Sequence, residues 1–124
     1  MYTDGSCIPN PGRGAWAWVA VEAESVVSGG VGQEPGRTTN QRMELRAILE
    51  AVRGSTDDLV VHTDSAYAIR VIGGEWRGIA NVDLVEPLRL HNHRITFVKV
   101  KAHSGNKWNE YVDGLVKYTL HGPE

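Results

Sequence analysis

The chain has little of several things, and each shortage narrows what it can be. It holds one cysteine, Cys7, in 124 residues. No disulfide can form within it, so a reducing compartment, the cytoplasm, is the expected location. No apolar run approaches the ~20 residues that a membrane span requires, and no basic stretch followed by an apolar one marks a signal peptide, so no membrane partner is expected. Basic residues are not in excess: 13 Lys and Arg stand against 15 Asp and Glu, for a formal charge of −2. That balance lacks the broad basic footprint usual in nucleic-acid binders. Repeats, low-complexity tracts and linkers are missing too. What is left is one domain, residues 1–124, whose 41% hydrophobic and 23% charged residues are those of an ordinary globular protein.

What is present is a set of acids placed at the ends of regular elements. Met1-Tyr2-Thr3 reads as a short strand delivering Asp4 to a sheet edge, with Gly5-Ser6 turning the backbone away. Ile8 to Gly14, with two prolines and two glycines, reads as a loop. Ala15–Glu22 is a strand with Trp16 and Trp18 on one face and Ala17, Val19 and Val21 on the other, and Ser25–Val31 is its returning partner. Gly29-Gly30 in that partner signals a bulge or a close approach, and Gln33–Arg37 a loop. Thr38, Thr39 or Asn40 caps a helix that runs to Arg53 and stops at Gly54. Its wide apolar stripe faces a sheet and carries Glu44 at its margin.

Leu59–Thr63 is a continuous apolar run, the mark of an interior strand, and it ends at Asp64. Ala66–Ile72 is a short helix closed by Gly73-Gly74, and Asn81 or Asp83 caps the next, which contains Pro87. Ile95–Ala102 is a strand and Lys107–Leu120 the last helix, with Asp113 beside its apolar face and Gly114 suggesting tight packing. The order is β-β-β-α-β-α-α-β-α. An antiparallel meander followed by strand–helix crossovers makes a mixed sheet with helices on both faces. Its site is expected beyond the carboxyl ends of the parallel strands.

Any one of Asp4, Glu44, Asp64 and Asp113 could be a solvated cap or turn residue. Together, near apolar faces, they would repel one another unless a cation sat among them. Oxygen-only ligands suit Mg²⁺ or Mn²⁺ rather than zinc. Two such ions would change the formal charge from −2 to +2, which removes the objection to a phosphate-rich ligand. His91 and His93 lack further ligands and read as solvated helix-end residues.

Five stretches then point to a family. Tyr2-Thr3-Asp4-Gly5-Ser6-Cys7 with Asn10-Pro11-Gly12, Thr39-Asn40-Gln41-Arg42-Met43-Glu44-Leu45 and Thr63-Asp64-Ser65-Ala66-Tyr67 resemble motifs of ribonuclease H, type 1. Val100-Lys101-Ala102-His103-Ser104-Gly105 and Asn109-Glu110-Tyr111-Val112-Asp113 complete the set in the family's order. The resemblance implies an α/β, ribonuclease H-like fold with a five-stranded mixed sheet. It implies a metal-dependent endoribonuclease that cuts the RNA strand of RNA–DNA hybrids with two Mg²⁺ ions, for which Mn²⁺ can substitute, leaving 5′-phosphate and 3′-hydroxyl ends. Asp4 would bridge the ions, Asp113 would complete the water-activating side, and Glu44 and Asp64 the leaving-group side. Glu44 would also touch the ribose 2′-hydroxyl, and His103 would shuttle a proton or aid product release. Cys7, Asn10, Asn40 and Gln41 would contact the minor groove, Gln41 standing where the family more usually has Asn. Thr39 and Asn81 would grip a phosphate of the DNA strand, and Asn109 would orient the His103 loop or the metal site.

Two departures stand out. Relatives with a lysine-rich protrusion carry it where this chain has only Gly73–Val82, with Arg77 its sole basic residue. Trp76, on a deoxyribose or in the core, and Lys99, Lys101 and Lys107 are the residues left to compensate. The first strand, with three residues ahead of Asp4, is expected to be short and to hold it loosely. A stand-alone monomer with no obligate protein partner is expected. The alternatives are a transposase or junction-resolvase core, or an inactive hybrid-binding module.

Overall fold

In the computed structural model, residues 1–77, 79–101 and 105–122 are described. Three antiparallel strands open the chain: β1 (Tyr2–Ile8), β2 (Gly12–Glu22) and β3 (Ser25–Thr38). The helix α1 (Asn40–Arg53) leads to β4 (Leu59–Thr63) and α2 (Ala66–Ile72). A 3-10 turn (Ile79–Asn81) enters α3 (Val82–Leu90), and a second (Asn92–Arg94) enters β5 (Ile95–Lys99). The last helix is α4 (Lys107–His121). The sheet order is β3-β2-β1-β4-β5, with β1 antiparallel to β2 and parallel to β4, and β4 parallel to β5. The expected five-stranded mixed sheet is present.

Helices cover both faces. The larger core joins Leu45, Ile48, Leu49 and Val52 of α1 to Leu59 and Val61 of β4 and to apolar residues of α2 and α3. On the opposite face Ala15 and Ala17 of β2 meet Val116 and Leu120 of α4. The two faces expected for β2 are therefore real. Trp16 lies against Arg46 of α1, Trp18 against Gly54 at its end, and the alanines lie under α4.

Three expectations about strands are corrected. First, β1 does not end at Asp4. Gly5 and Ser6 stay in the ladder opposite Trp16 and Ala15, and the strand continues to Ile8. Gly5 is there for room, not for a turn, because a Cβ would overlap the Met43 carbonyl and lie 2.6 Å from the Glu44 nitrogen. Neither is β1 loosely held at its start, since the Met1 amine reaches the Val60 carbonyl at 2.6 Å and the His62 amide reaches the Met1 carbonyl at 2.7 Å.

Second, β3 runs through Pro35-Gly36 to Thr38. The register jumps between Gly14↔Glu34 and Gly12↔Thr38, and Gly36 takes φ +80° within the irregularity. A Pro-Gly pair reads as a loop, but here it is a bulge in an edge strand, where a missing N–H does no harm. Third, the other bulge falls at Val27, and of the bulge or close approach expected at Gly29-Gly30 it is the close approach that is present. A Cβ on Gly29 would lie 2.9 Å from the Trp18 carbonyl oxygen, one on Gly30 2.7 Å from Trp18 Nε1, and one on Gly32 would strike the Trp16 ring. Strand β5 also stops at Lys99, short of the expected Ala102, which lies outside the described residues along with His103.

The two helix-facing glycines therefore predict opposite outcomes. Gly5→Ala must force α1 away from β1 and is expected to cost more than about 3 kcal/mol, or to prevent folding. A Cβ on Gly114 in α4 meets nothing within 4 Å, so the tight packing suggested there is absent. Gly114→Ala is expected to raise stability by about 0.5–1 kcal/mol in urea unfolding.

Candidate active site

The parallel seam between β1 and β4 is brief, with Tyr2 opposite His62 as its paired register. Beyond it the two strands part, and the gap at their carboxyl side receives the acids. Asp4 extends from β1 just past the seam and Asp64 directly follows β4. Glu44 comes from α1, which lies close on β1 because Gly5 has no side chain. One carboxylate oxygen from each of these three acids falls within 4.8 Å of the others. Asp113 of α4 lines the same cleft, together with Gly5, Asn40, Gln41 and Ser65. It is not part of the close trio, and its carboxylate holds Lys117 Nζ at 3.0 Å, one helical turn on.

This arrangement is costly for the bare protein. Asp4 is only 7% exposed and Glu44 9%. Burial, and then the charges of Asp64 and Asp113, push the Asp4 carboxyl up to about 7, against a lowering by the adjoining Glu44 carboxyl and Gly5 amide. Burial, and then the charge on Asp4, holds Glu44 well above the usual carboxylate range. The Gly5 amide donates to Glu44 Oε1 at 2.8 Å, while Glu44 Oε2 is buried with no hydrogen-bond partner. Crowded acids with an orphaned buried oxygen fit a divalent cation by chemistry: hard oxygen donors, excess negative charge and an unsatisfied acceptor.

The amide-bearing residues gather at one wall. Asn40 Oδ1 accepts from the Cys7 amide at 2.7 Å, and the Asn40 amide donates to Asn10 Oδ1 at 3.2 Å. The β1–β2 turn is thereby fastened to the start of α1, where Gln41 is exposed. Cys7 itself points inward: it is 4% exposed, with Sγ 3.1 Å from the carbonyls of Pro9 and Thr38. Its backbone amide supports Asn40 from behind.

Thr39 caps α1, its hydroxyl accepting from the Arg42 amide at 3.2 Å. Asn81 stands at the N-cap position of α3 but makes no side-chain cap. It is 6% exposed and its amide donates to the Tyr67 hydroxyl at 2.9 Å. Arg42 of α1 binds Glu34 of β3 and forms a two-pronged pair with Asp83, which ties the starts of α1 and α3 together. Asn109 is buried one turn before Asp113, and its Oδ1 has no hydrogen-bond partner. Trp76 is 43% exposed, so it is not a core residue. His103 lies outside the described residues. Sequence reasoning missed Ser65 as a cleft wall, and Lys117, which the i, i+4 spacing from Asp113 could have flagged.

A sheet of this order with carboxylates at the parting of its central parallel strands makes an α/β enzyme-like domain whose crowded oxygen donors suit a divalent cation. Comparison with known proteins narrows that class. The RNase H family model matches residues 1–121. A ribonuclease H of Syntrophomonas wolfei is 38% identical over 97% of this chain and 94% of its own length. One from Herminiimonas arsenicoxydans is 40% identical over 93% and 89%. Among solved structures, RNase H1 of Halobacterium salinarum NRC-1 matches with a TM-score of 0.75 at 25% identity, over 96% of this chain and 94% of that one. The fold is also that of LC11-RNase H1, solved in complex with an RNA/DNA hybrid (TM-score 0.72, 21% identity, covering 94% and 91%). The chain belongs to the ribonuclease H family and is an enzyme of it.

The raised Asp4 pKa sets a pH dependence in the cation-free protein. A carboxyl whose folded value is about 7, against 3.8 ordinarily, contributes stability that is complete below pH 3.8 and lost as pH rises through 7. Asp4→Asn removes that loss. In EDTA at pH 8 the variant is expected to melt about 5 °C or more above the parent, with the gap closing toward pH 4. Equal melting temperatures at pH 8 would contradict the electrostatic account.

Proposed function

We propose that this single domain, residues 1–124, is a metal-dependent endoribonuclease that hydrolyses the RNA strand of RNA–DNA hybrids to 5′-phosphate and 3′-hydroxyl ends. The observation that carries this reading is the convergence of Asp4, Glu44 and Asp64, with Asp113 on the same cleft, beside a wall of amides. On this reading Asp4, Glu44 and Asp64, with Asp113 on the same cleft, would hold two Mg²⁺ ions, or Mn²⁺ in their place. When bound, such a pair supplies a nucleophile at neutral pH and offsets charge on the scissile phosphate.

The chain's own groups do the rest. The Gly5 amide fixes Glu44 through Oε1. Lys117 holds Asp113 at the rim of the cleft. Asn10 and Asn40, locked to each other and to the Cys7 amide, present minor-groove donors and acceptors together with Gln41. Glu44 reads the ribose 2′-hydroxyl, the group that separates RNA from DNA. Thr39 and Asn81, at the starts of α1 and α3 that the Arg42–Asp83 pair joins, take a phosphate of the DNA strand. Asn109 lies beneath Asp113, and His103 moves a proton or eases product release. The protein acts in the cytoplasm as a monomer.

Labelled RNA–DNA, double-stranded RNA and double-stranded DNA, each with and without Mg²⁺, test this. Only the hybrid is expected to be cut, only with the cation, and Asp4→Asn is expected to lower kcat by about 10²–10³-fold or more. Binding without cleavage in either Mg²⁺ or Mn²⁺ would overturn the proposal. With few cations between Gly73 and Val82, KM should also exceed that of protrusion-bearing relatives and depend less steeply on salt.

A further inference from the structure

The connection that follows α2 is short, yet it is unusually well tied. The Arg89 guanidinium, reaching from α3, donates to the carbonyl of Val71 in the last turn of α2 through Nε at 3.0 Å, and through Nη2 to two carbonyls of the connection, Trp76 at 2.5 Å and Arg77 at 3.2 Å. The amides of Glu75 and Trp76 both return to the Arg70 carbonyl, and Gly74 makes the turn at φ +85°. All this fixes the backbone of a tryptophan whose ring is then left 43% exposed. The Arg70 guanidinium lies 5.0 Å from that ring, and Tyr67 stands 6.2 Å away, its hydroxyl joined to Asn81. Arg70, Arg77 and Arg89 meet this segment, whose own acid among the described residues is Glu75, 3.9 Å from Arg70. In a chain of net charge −2, this corner is locally cationic.

An aromatic ring held rigid, backed by a guanidinium and exposed on a cationic corner suits a sugar–phosphate backbone: the ring packs on a sugar and arginine meets phosphate. Position agrees. Ser65, which precedes α2, lines the carboxylate cleft, and seven helical residues span about 10 Å. A duplex with one strand over the carboxylates would bring its other strand past Trp76.

We propose that Arg89 is a positioning residue for substrate binding, holding Trp76 and Arg77 against the strand of the duplex that is not cut. The proposal rests on the hybrid-cleaving reading above. Where relatives add a protrusion, this chain gains grip by immobilising a short connection.

Steady-state cleavage of a long hybrid by the full chain, with Arg89→Met, Trp76→Ala and the double variant, is the test. Each single variant is expected to raise KM about 5–10-fold with kcat within about twofold. The double variant is expected to be no worse than either single one, because Arg89 acts through Trp76. Additive effects, an unchanged KM, or a fall in kcat alone would overturn the proposal. Circular dichroism checks folding. Should Arg89→Met not fold, an unchanged KM in Trp76→Ala overturns the proposal, and a raised KM that Arg89→Lys reproduces supports it. A parent protein that cuts no hybrid sinks the activity reading, whereas a parent that cuts with variants of normal KM sinks only the clamp.

Discussion

The close seating of α1 on β1 at Gly5 is the constraint on which the molecule depends. It brings the Glu44 carboxylate to the Gly5 amide and to Asp4. It also buries the apolar stripe of α1, Met43, Leu45, Ala47, Ile48, Leu49 and Val52, each at most 3% exposed. Burial on that scale is the main favourable term available to a domain of this size, at about 25 cal/mol per Å². The stabilising interface and the crowded acids share the same surface. The core thus supports a site that is electrostatically unfavourable by itself, as strained functional sites generally require.

Much of this was legible in the sequence, for reasons that differ by element. Thr39 and Gly54 bracket α1 with a side-chain cap and a stop, and its apolar spacing fixed which face would be buried. The run Leu59–Thr63 and the acid after it could be read from composition and length alone. The strand ends were harder. Gly5-Ser6 has the composition of a turn but serves as a close approach. Pro35-Gly36 has the composition of a loop but serves as a bulge. In each case the deciding atoms, the Met43 carbonyl and the partner strand at Gly12 and Gly14, belong to distant segments.

The site divides along the same line. The four acids were recognisable because their neighbours form motifs, and three of them do lie within ligand distance of one another. The inward turn of Cys7 depends on the carbonyls of Pro9 and Thr38, and the partnership of Asn81 with Tyr67 depends on how α2 meets α3. Local sequence does not encode either. The four-residue spacing between Asp113 and Lys117 does, and it places a cation beside the carboxylate cleft.

The long outer strand β3 carries a further implication for the protein in a crowded solution. It forms one open border of the sheet, and Val26, Val27 and Val31 on it are 39–55% exposed. An unbroken apolar border of that kind would template pairing with another chain. Here the border is interrupted twice, at Val27 and at Pro35-Gly36, which leaves only Ser28–Glu34 regular between them. The irregularities that confound a reading of the sequence thus limit self-association, guarding the border of the sheet by shape rather than by charge.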